Sequence, residues 1–312
     1  MARFLALRLL AAIPVMGVVA IVVFALLRLS GRPGALLAGD AATPEQIAKI
    51  NADLGLDRPL VEQFLLWIGN LLSGDLGYSF HSRISVAKLI ADRIEPTLSL
   101  AATTLLFSIA IAVPMGVIAA WRHGRAADTG VMIFAVIGFS VPVFVLGYFW
   151  VFVFSMNLDW LPVQGFVPIG KGLGEFLRHL ALPTLALSAI YIALVARITR
   201  TSMLESLSQD YIRTAYAKGA STFAVLTRHA LRNAAVPIVS VIGIGLVLLV
   251  GGVVVTETVF NIPGIGGLIV DAILGRDYPI IQGVLLLLAL VYVMINLLID
   301  FLYTLLDPRI RY

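Results

Sequence analysis

Long apolar stretches alternate with short polar ones along the 312 residues of this chain. Six stretches lack Asp, Glu, Lys and Arg over about the 20 residues that a helix needs to cross a lipid bilayer. Each is predicted to be helical, because hydrocarbon leaves exposed backbone groups without hydrogen-bond partners. The pattern predicts an all-α integral membrane protein with six transmembrane helices, although a cleaved signal peptide is an alternative for the first stretch. The stretches lie between Arg8 and Arg28, Glu95 and Arg122, Asp128 and Asp159, Arg178 and Arg197, Arg232 and Glu257, and Asp277 and Asp300.

The polar segment 30–94 is predicted to form helices outside the membrane. Residues 43–46 (Thr-Pro-Glu-Gln) fit an N-cap, a first-turn proline and a capping-box glutamine, and Gly55 fits the end of that helix. Further helices are predicted over 59–74 and 86–94. We expect these helices to pack on the spans, to lie on lipid headgroups, or to contact an extracytoplasmic partner. The apolar face of the 59–74 helix holds Leu60, Phe64, Trp67, Ile68 and Leu71.

The distribution of Lys and Arg predicts the orientation. Twelve of these residues fall in the short segments on the side that holds both termini, whereas the opposite short loops hold three, namely Lys171, Arg178 and Arg276. Cytoplasmic segments carry the excess of positive charge, so both termini are predicted to be cytoplasmic. The expected organisation is an N-terminal transmembrane helix, an extracytoplasmic helical segment, a core of five spans with a cytoplasmic loop, and a cytoplasmic tail. Their bounds are 1–29, 30–94, 95–304 with the loop 205–235, and 305–312.

The composition supports a membrane protein and excludes several other classes. Hydrophobic residues make up 60% of the chain and charged residues 13%, against about 25% charged in soluble domains. The net charge is only +4, and the cations are scattered among apolar runs, so no nucleic-acid partner is expected. The absence of cysteine excludes disulfides, thiolate metal sites and a cysteine nucleophile.

No arrangement of polar residues predicts catalysis or a metal site. Residues 165–172 approach a phosphate-binding loop but lack the hydroxyl after Lys171 that would ligate magnesium. Glu257 and Asp300 fall near the ends of spans, whereas a secondary carrier is expected to have coupling acids at the midplane. We therefore predict a chain that is not an enzyme, with a secondary carrier as a remote alternative. Four histidines lie on separate segments without metal-ligand spacing: His81, His123, His179 and His229.

One cytoplasmic segment, residues 205–235, combines helix signals with basic residues, and we call it the knuckle. Residues 205–217 predict a helix, Gly219 predicts a sharp turn, and Ser221 or Thr222 predicts the cap of a second helix. The apolar stripe of that second helix is expected to hold Phe223, Leu226 and Ala230. The basic rim holds Arg213, Lys218, Arg228, His229 and Arg232. The knuckle is predicted either to dock a partner or to lie on anionic lipid.

The knuckle resembles the cytoplasmic coupling loop of ATP-binding-cassette (ABC) importer permeases. That family has Glu-Ala-Ala, three residues, Gly, nine residues and Ile-x-Leu-Pro. The matches here are Ala215, Gly219 and Leu231, and the departures are Arg213, Thr214, His229 and Arg232. The departures themselves resemble the dipeptide/oligopeptide/nickel branch, which reads D-Y-x-R-T-A-x-A-K-G and H-A-L-R-N-A-x-x-P, as residues 210–219 and 229–237 do.

Other runs extend this resemblance over nearly the whole chain. They are similar to the B-type subunit, one of the two permeases of such importers. The resemblance implies a type I ABC importer permease fold and a multi-pass location in a bacterial or archaeal cytoplasmic (inner) membrane. The runs are residues 55–80, 93–101, 257–273, 276–283 and 306–312.

The resemblance also implies partners. They are a second, C-type permease in a heterodimer, two cytoplasmic ATPase subunits that bind ATP and Mg, and an extracytoplasmic solute-binding protein, so this chain itself would hold no cofactor. The solute would be a di- or oligopeptide or a peptide-like compound, with glutathione, a nickel chelate or an opine as the alternative. The expected ATPase-docking residues are Tyr211, Arg213, Thr214, Ala215, Lys218, Gly219, His229, Leu231 and Arg232.

The fifth span and the turn after it are candidates for the translocation path or an outer gate. The glycines of the span, Gly243, Gly245, Gly251 and Gly252, are expected either to let helices pack closely or to line the path. The turn is expected to be re-entrant or to form a gate. Glu257 and Asp271 are candidates to meet the cationic end of a peptide. The candidate path and gate residues are Gly251, Gly252, Glu257, Asn261, Pro263, Gly264 and Asp271.

Overall fold

The computed structural model describes residues 2–30, 43–53, 55 and 57–306. These residues form helices, connected by turns and one isolated bridge between Tyr78 and Ser85. A π-helical segment, Val151–Asn157, extends α6, and another, Val225–Ala230, joins α9 to α10. The helices are α1 (Ala2–Ser30), α2 (Pro44–Asp53), α3 (Leu60–Leu72), α4 (Val86–Trp121), α5 (Ala126–Ser140), α6 (Val143–Trp150), α7 (Leu173–Leu207), α8 (Asp210–Ala217), α9 (Thr222–Ala224), α10 (Leu231–Val259), α11 (Ile265–Gly275) and α12 (Tyr278–Leu306).

Several described helices are long and apolar enough to cross a membrane. Four helices meet this length and hydropathy requirement individually. A fifth span is formed if α5 and the bent helix after it count as one. Within the described part of α1, the apolar stretch Leu10–Ala25 is shorter. The all-helical membrane architecture predicted from hydropathy is therefore confirmed. The four are Val86–Trp121, Leu173–Leu207, Thr222–Val259 and Tyr278–Leu302.

The third predicted span is not one continuous helix. Its two halves, Ala126–Ser140 and Val143–Asn157, are bent by 103° at a short break. Pro142 precedes α6, and Val141 before it is extended, with φ −93° and ψ 121°. A residue before proline is driven out of the helical region by steric clash with the proline ring. A bend of this span at Pro142 is expected from the sequence, and it is confirmed.

The segment before α4 contains the expected helix signals. The Thr43 N–H donates to Gln46 Oε1 at 3.0 Å and the Gln46 N–H donates to Thr43 Oγ1 at 3.3 Å, so the predicted capping box is confirmed. Gly55, after α2, has φ +62°. The separate helix expected over residues 86–94 is wrong, because α4 continues from Val86 to Trp121 through Pro96.

The described residues belong to two compact units. The first combines residues 1–94 with 267–293, and the second combines 95–266 with 294–312. In the first unit, α3 packs on α1 through Phe24, whose ring lies 5.3 Å from Phe64 and 5.7 Å from Trp67. This contact places two residues of the predicted apolar face of α3 against α1.

A carboxylate anchors the loop before α4 within the first unit. Asp277 is buried and accepts from the Ser79 hydroxyl at 2.6 Å and from the Phe80 N–H at 3.2 Å. The His81 ring nitrogen Nε2 lies 2.6 Å from the Gly275 carbonyl oxygen. Two of the runs that resemble B-type permeases, 55–80 and 276–283, are thereby joined by one buried and one part-buried hydrogen bond.

Helix α7 lies at the centre of the second unit. Most of its inward residues are buried, and α4 and α5 approach it at glycines. A Cβ on Gly116 would lie 2.5 Å from Thr199 Cβ, and one on Gly138 would lie 3.0 Å from Ala193 Cβ. Glycine allows this close helix–helix approach, as is usual between helices in lipid.

Candidate functional site

The knuckle begins where α7 ends. Helix α7 continues to Leu207 and α8 starts at Asp210, so the single helix expected over 205–217 is wrong. The Gln209 backbone is extended, with φ −78° and ψ 149°. This break separates α7 from the short helix α8, which carries Arg213.

The turn of the knuckle depends on Gly219. This residue has φ +83°, a backbone conformation that costs other L-residues about 1–2 kcal/mol. Its N–H donates to the Tyr216 carbonyl oxygen at 2.9 Å, and the Ala220 N–H donates to that of Ala215 at 3.1 Å. Ser221 Oγ accepts from the Ala224 N–H at 3.3 Å. The predicted glycine turn and serine cap are both confirmed.

The underside of the knuckle is apolar and buried. Its side chains join a core cluster with Ala196 and Met203 of α7. Leu226 and Ala230 belong to this cluster as expected, but Phe223 is 76% exposed. The expected stripe is wrong at Phe223, because the chain is π-helical from Val225 and ordinary helical spacing fails there. The buried knuckle residues are Ile212, Ala215, Val225, Leu226, Ala230 and Ala234.

The outer face of the knuckle is exposed, cationic and partly aromatic. Its exposed cationic and aromatic residues, with the neighbouring Thr214 and Gly219, are Tyr211, Arg213, Tyr216, Lys218, Phe223, Arg228 and Arg232. Arg213 lies 3.6 Å from Asp210, and both side chains are more than four-fifths exposed. His229 and Leu231 are half-buried. Of the expected docking residues, Ala215 therefore faces the core, while five lie with Gly219 on the exposed face.

A polar pocket of about 270 Å³ opens beside the knuckle, between the end of α7 and the start of α10. Within it, the Tyr211 hydroxyl donates to Ser206 Oγ at 3.4 Å. The pocket is lined by Ser202, Glu205, Ser206, Gln209, Tyr211, Asn233, Ala234 and Pro237.

The glycines of the fifth span separate into two groups. A Cβ on Gly245 would lie 3.2 Å from the Tyr191 ring, one on Gly252 would lie 2.7 Å from Leu187 Cδ1, and one on Gly243 would overlap Ile299. These three glycines allow close packing within the subunit. Gly251 differs, because it is exposed and nothing lies within 4 Å of its Cβ position.

The turn after α10 is built around Glu257, which is only 1% exposed. Thr97 Oγ1 donates to its carboxylate at 2.5 Å. Gly264 and Gly266 lie so close to the carboxylate that a Cβ on either would collide with it. The Ile262 N–H donates to the Glu257 carbonyl oxygen at 2.8 Å. The burial of Glu257 favours a structural role over the contact with a peptide considered from the sequence.

The other turn residues lie at the surface. Asn261, with φ +48°, and Pro263 are exposed, and α11 starts directly afterwards at Ile265. Asp271, on α11, is also exposed. The run 257–266 is therefore a tight turn that leads into an apolar helix too short to cross a bilayer.

A largely buried ion pair near the C-terminal end of α7 was missed by the sequence analysis. Arg200 bonds Asp128 through Nε and through its terminal nitrogen at 2.9 Å, and Asp128 also accepts from the Gly124 N–H at 3.0 Å. His123 Nδ1 lies 3.0 Å from Asp128 Oδ2. In the sequence, Asp128 stands in the first turn of a helix after a basic turn, which is only a weak indication of a buried ion pair. The only other hint is that Arg200 follows closely after the fourth apolar stretch. Among the residues that the structure describes, no three His, Asp or Glu side chains come together as a metal site.

The helical membrane fold and the basic knuckle define the class of protein, an inner-membrane permease of the ABC transporter type. Residues 112–312 match the family described as "Binding-protein-dependent transport system inner membrane component", and residues 1–101 match its N-terminal counterpart. The chain belongs to this family, and the resemblance drawn from the sequence is confirmed.

Named relatives cover almost the whole chain. A probable peptide ABC transporter permease protein of Sinorhizobium fredii is 53% identical over 306 residues, which is 98% of each chain. A putative peptide transport system permease protein of Brucella abortus is 47% identical over 96% of each chain. A glutathione transport system permease protein of Shigella flexneri is 43% identical over 98% of this chain and 97% of its own length.

A solved structure shares the fold. An inward-facing form of the MetNI methionine ABC transporter matches with a TM-score of 0.57 and 19% identity, over 70% of this chain and 96% of the matched chain. At this identity the likeness concerns the fold alone.

Proposed function

We propose that this chain is one of two permease subunits in an ATP-driven importer of peptides or peptide-like solutes. The two most similar relatives described above, at 53% and 47% identity, carry peptide transport in their names. In this proposal the chain forms half of the translocation path, and a C-type permease forms the other half. It hydrolyses nothing itself, because the ATPase subunits bind ATP and Mg.

The observation that carries the proposal is the two-sided construction of the knuckle. Its underside is packed into the core with α7 and α10, whereas its outer face presents cations and the exposed ring of Phe223. A surface of this kind suits docking into a groove on a separate protein, because exposed aromatic and Arg residues dominate many interfaces. Two cytoplasmic ATPases are the proposed partners of this knuckle and of its counterpart.

The proposed mechanism is a rigid transfer of motion. ATP-driven closure of the ATPases draws the two knuckles together, and α7 and α10 carry that motion into the membrane because they are packed directly on the knuckle. The proposed docking residues on the exposed face are Tyr211, Arg213, Thr214, Lys218 and Arg232. Ala215 and Leu231 anchor the knuckle by packing in and against the core cluster. His229 lies half-buried at its edge.

The proposed topology has six spans and cytoplasmic termini. Helices α1, α4, α7, α10 and α12, with the bent α5–α6 pair, are the six candidates. Residues 30–94 are then extracytoplasmic and help to dock the solute-binding protein, and 305–312 form a cytoplasmic tail. The positive-inside distribution of Lys and Arg supports this orientation.

The proposed path runs beside Gly251, and the turn 257–266 is the proposed outer gate. Gly251 qualifies because it faces open space, unlike the three packed glycines of α10. In the gate, Glu257 and Gly264 hold the turn in shape, while Asn261 and Pro263 are exposed to meet partner or solute. Asp271 stays a candidate contact for a cationic solute group.

Glutathione transport is the second candidate. It rests on the 43% identical relative named as a glutathione permease. Glutathione is itself a peptide-like solute, so the same path would serve both.

A reconstituted transporter tests the proposal. The chain is co-expressed with the permease, ATPase and binding-protein genes of its operon, purified in mild detergent and placed in proteoliposomes. We expect the ATPases to co-purify, and we expect ATP-dependent uptake of di- or oligopeptides above that of amino acids. Uptake of glutathione alone would favour the second candidate. Ion-driven uptake without ATPase subunits would overturn the importer proposal in favour of a secondary carrier.

A further inference from the structure

The ion pair between Asp128 and Arg200 has no part in the knuckle or the gate, although it is largely enclosed within the second unit. Asp128 is 4% exposed, and the Arg200 side chain is 18% exposed. We infer that these two are positioning residues, which transmit the movement of the knuckle from α7 to α4 and α5. The inference rests on the proposed function.

The carboxylate of Asp128 is held in a way that fixes a turn. Both oxygens accept from the Arg200 guanidinium, in the paired geometry that gives Arg–carboxylate bonds their directionality. One oxygen also accepts from the Gly124 N–H, at the start of α5. His123 lies within hydrogen-bond distance of both Asp128 and Arg200. One ion pair therefore fastens the whole 123–128 turn, which joins α4 to α5, onto α7.

Arg200 is well placed to receive motion from the knuckle. Met203, less than one helical turn later on α7, is fully buried in the cluster that contains Ile212 and Ala215 of α8. On the other side of Arg200, Thr199 lies against Gly116 of α4 with no space for a Cβ. Contacts thus run without a gap from the knuckle to α7, and from α7 to α4 and the 123–128 turn.

The ion pair adds what apolar packing does not supply. An apolar contact between helices tolerates sliding, whereas a buried paired charge holds one register, because separating it leaves a desolvated charge without its partner. Gly116 allows α4 to lie close to α7. The ion pair, which fastens the turn after α4 to α7, makes these two helices move together. When the ATPases close on the knuckle, α4, α5 and α7 are then displaced as one body.

The test measures coupling, which folding alone does not determine. The complete transporter, with its second permease, ATPases and binding protein, is placed in proteoliposomes, and initial uptake is divided by ATP hydrolysed. We expect Asp128→Asn and Arg200→Gln each to lower the solute moved per ATP at least fivefold, while ATPase subunits remain bound. Arg200→Lys keeps the charge without the paired geometry and should give an intermediate loss.

The matched control lies on the same helix. Arg178 pairs with Glu175 at 3.0 Å near the start of α7, and both side chains are about half exposed. Arg178→Gln removes a cation from an exposed pair and should leave the solute moved per ATP within twofold of wild type.

A double variant separates transmission from simple stabilisation. Asp128→Asn with Arg200→Gln removes both charges, so it should recover much of the thermal stability lost in the single variants. We expect its solute-to-ATP ratio to stay low. A ratio within twofold of wild type in the double variant, or in an assembled Asp128→Asn or Arg200→Gln variant, would overturn the inference. Absence of ATP-driven uptake in the wild-type complex would instead overturn the proposed function.

Discussion

Thr97 Oγ1 lies 2.5 Å from Glu257 Oε1 and also accepts from the Ile265 N–H at 2.8 Å. The two side chains are 160 residues apart in sequence. One hydroxyl therefore joins α4, the end of α10 and the start of α11 around a buried carboxylate.

Replacing Thr97 tests this clamp. Thr97→Val keeps the shape but removes the hydroxyl, which leaves the Ile265 N–H unpaired and Glu257 with one donor fewer. We expect the free energy of unfolding to fall by about 1–3 kcal/mol, measured by denaturant unfolding in detergent. Thr97→Ser should keep most of the stability. Thr258→Val is the control, because that exposed hydroxyl only bonds the Val254 carbonyl of its own helix. Equal stability of the Val and Ser variants at position 97 would contradict the clamp.

Gly219 tests the knuckle itself. Proline cannot adopt φ +83° and has no N–H to donate to Tyr216. Gly219→Pro should leave membrane insertion intact and abolish ATP-dependent uptake in proteoliposomes. Gly219→Ala should cost about 1–2 kcal/mol of local stability and reduce uptake only in part.

Gly74 supplies a close control for that experiment. Its φ is +85°, its N–H donates to the Leu71 carbonyl oxygen, and its Cβ position is also open. Gly74→Pro makes the same backbone change in the segment before α4. If it abolished ATPase-driven transport as fully as the Gly219 variant, the loss would not be specific to the knuckle.

Phe223 is expected to be an anchor for the ATPase. Its ring is 76% exposed on the outer face of the knuckle. Phe223→Ala should weaken ATPase binding about 10- to 30-fold without changing thermal stability. Binding is measured by titrating ATPase subunits onto the permease pair in nanodiscs. Leu274→Ala removes a side chain that is 80% exposed away from the knuckle and should have no effect. Unchanged ATPase binding by the Phe223 variant would remove this residue from the interface.

The exposed cations of the knuckle distinguish a protein partner from lipid. Changing Arg213, Lys218 and Arg232 to Gln should slow association with the ATPases and reduce the dependence of the rate on salt. The measurement is made in nanodiscs without anionic lipid, so that headgroups contribute nothing. An association rate and salt dependence equal to wild type would assign these cations to the membrane surface.

Two glycines test the proposed path. Gly251 has open space at its Cβ position, whereas a Cβ on Gly264 would overlap the Glu257 carboxylate. Gly251→Leu should leave the amount of folded protein unchanged and lower maximal uptake. Gly264→Ala should lower the folded amount itself, because overpacking costs about 1–3 kcal/mol. Normal uptake by the Gly251 variant would exclude this face from the path.

Local signals in the sequence were sufficient for some elements and misleading for others. The capping box at Thr43 and Gln46, the Gly219 turn and the Ser221 cap were predictable, because each depends on residues within a few positions. The bend at Pro142 was also predictable, because a proline restricts the backbone of the residue before it. Phe223 was misplaced because a π-helical segment shifted the side-chain spacing.

The sequence by itself determined which segments are apolar enough to enter a membrane, where turns and caps fall, and which family the motifs indicate. These properties follow from the chemistry of neighbouring residues. Only the tertiary structure decided that Asp128 pairs with Arg200, that Glu257 accepts a hydrogen bond from Thr97, and that Asp277 accepts one from Ser79. A buried polar group needs a partner, but hydropathy and spacing are the same for every candidate, so folding alone selects which distant residue supplies it.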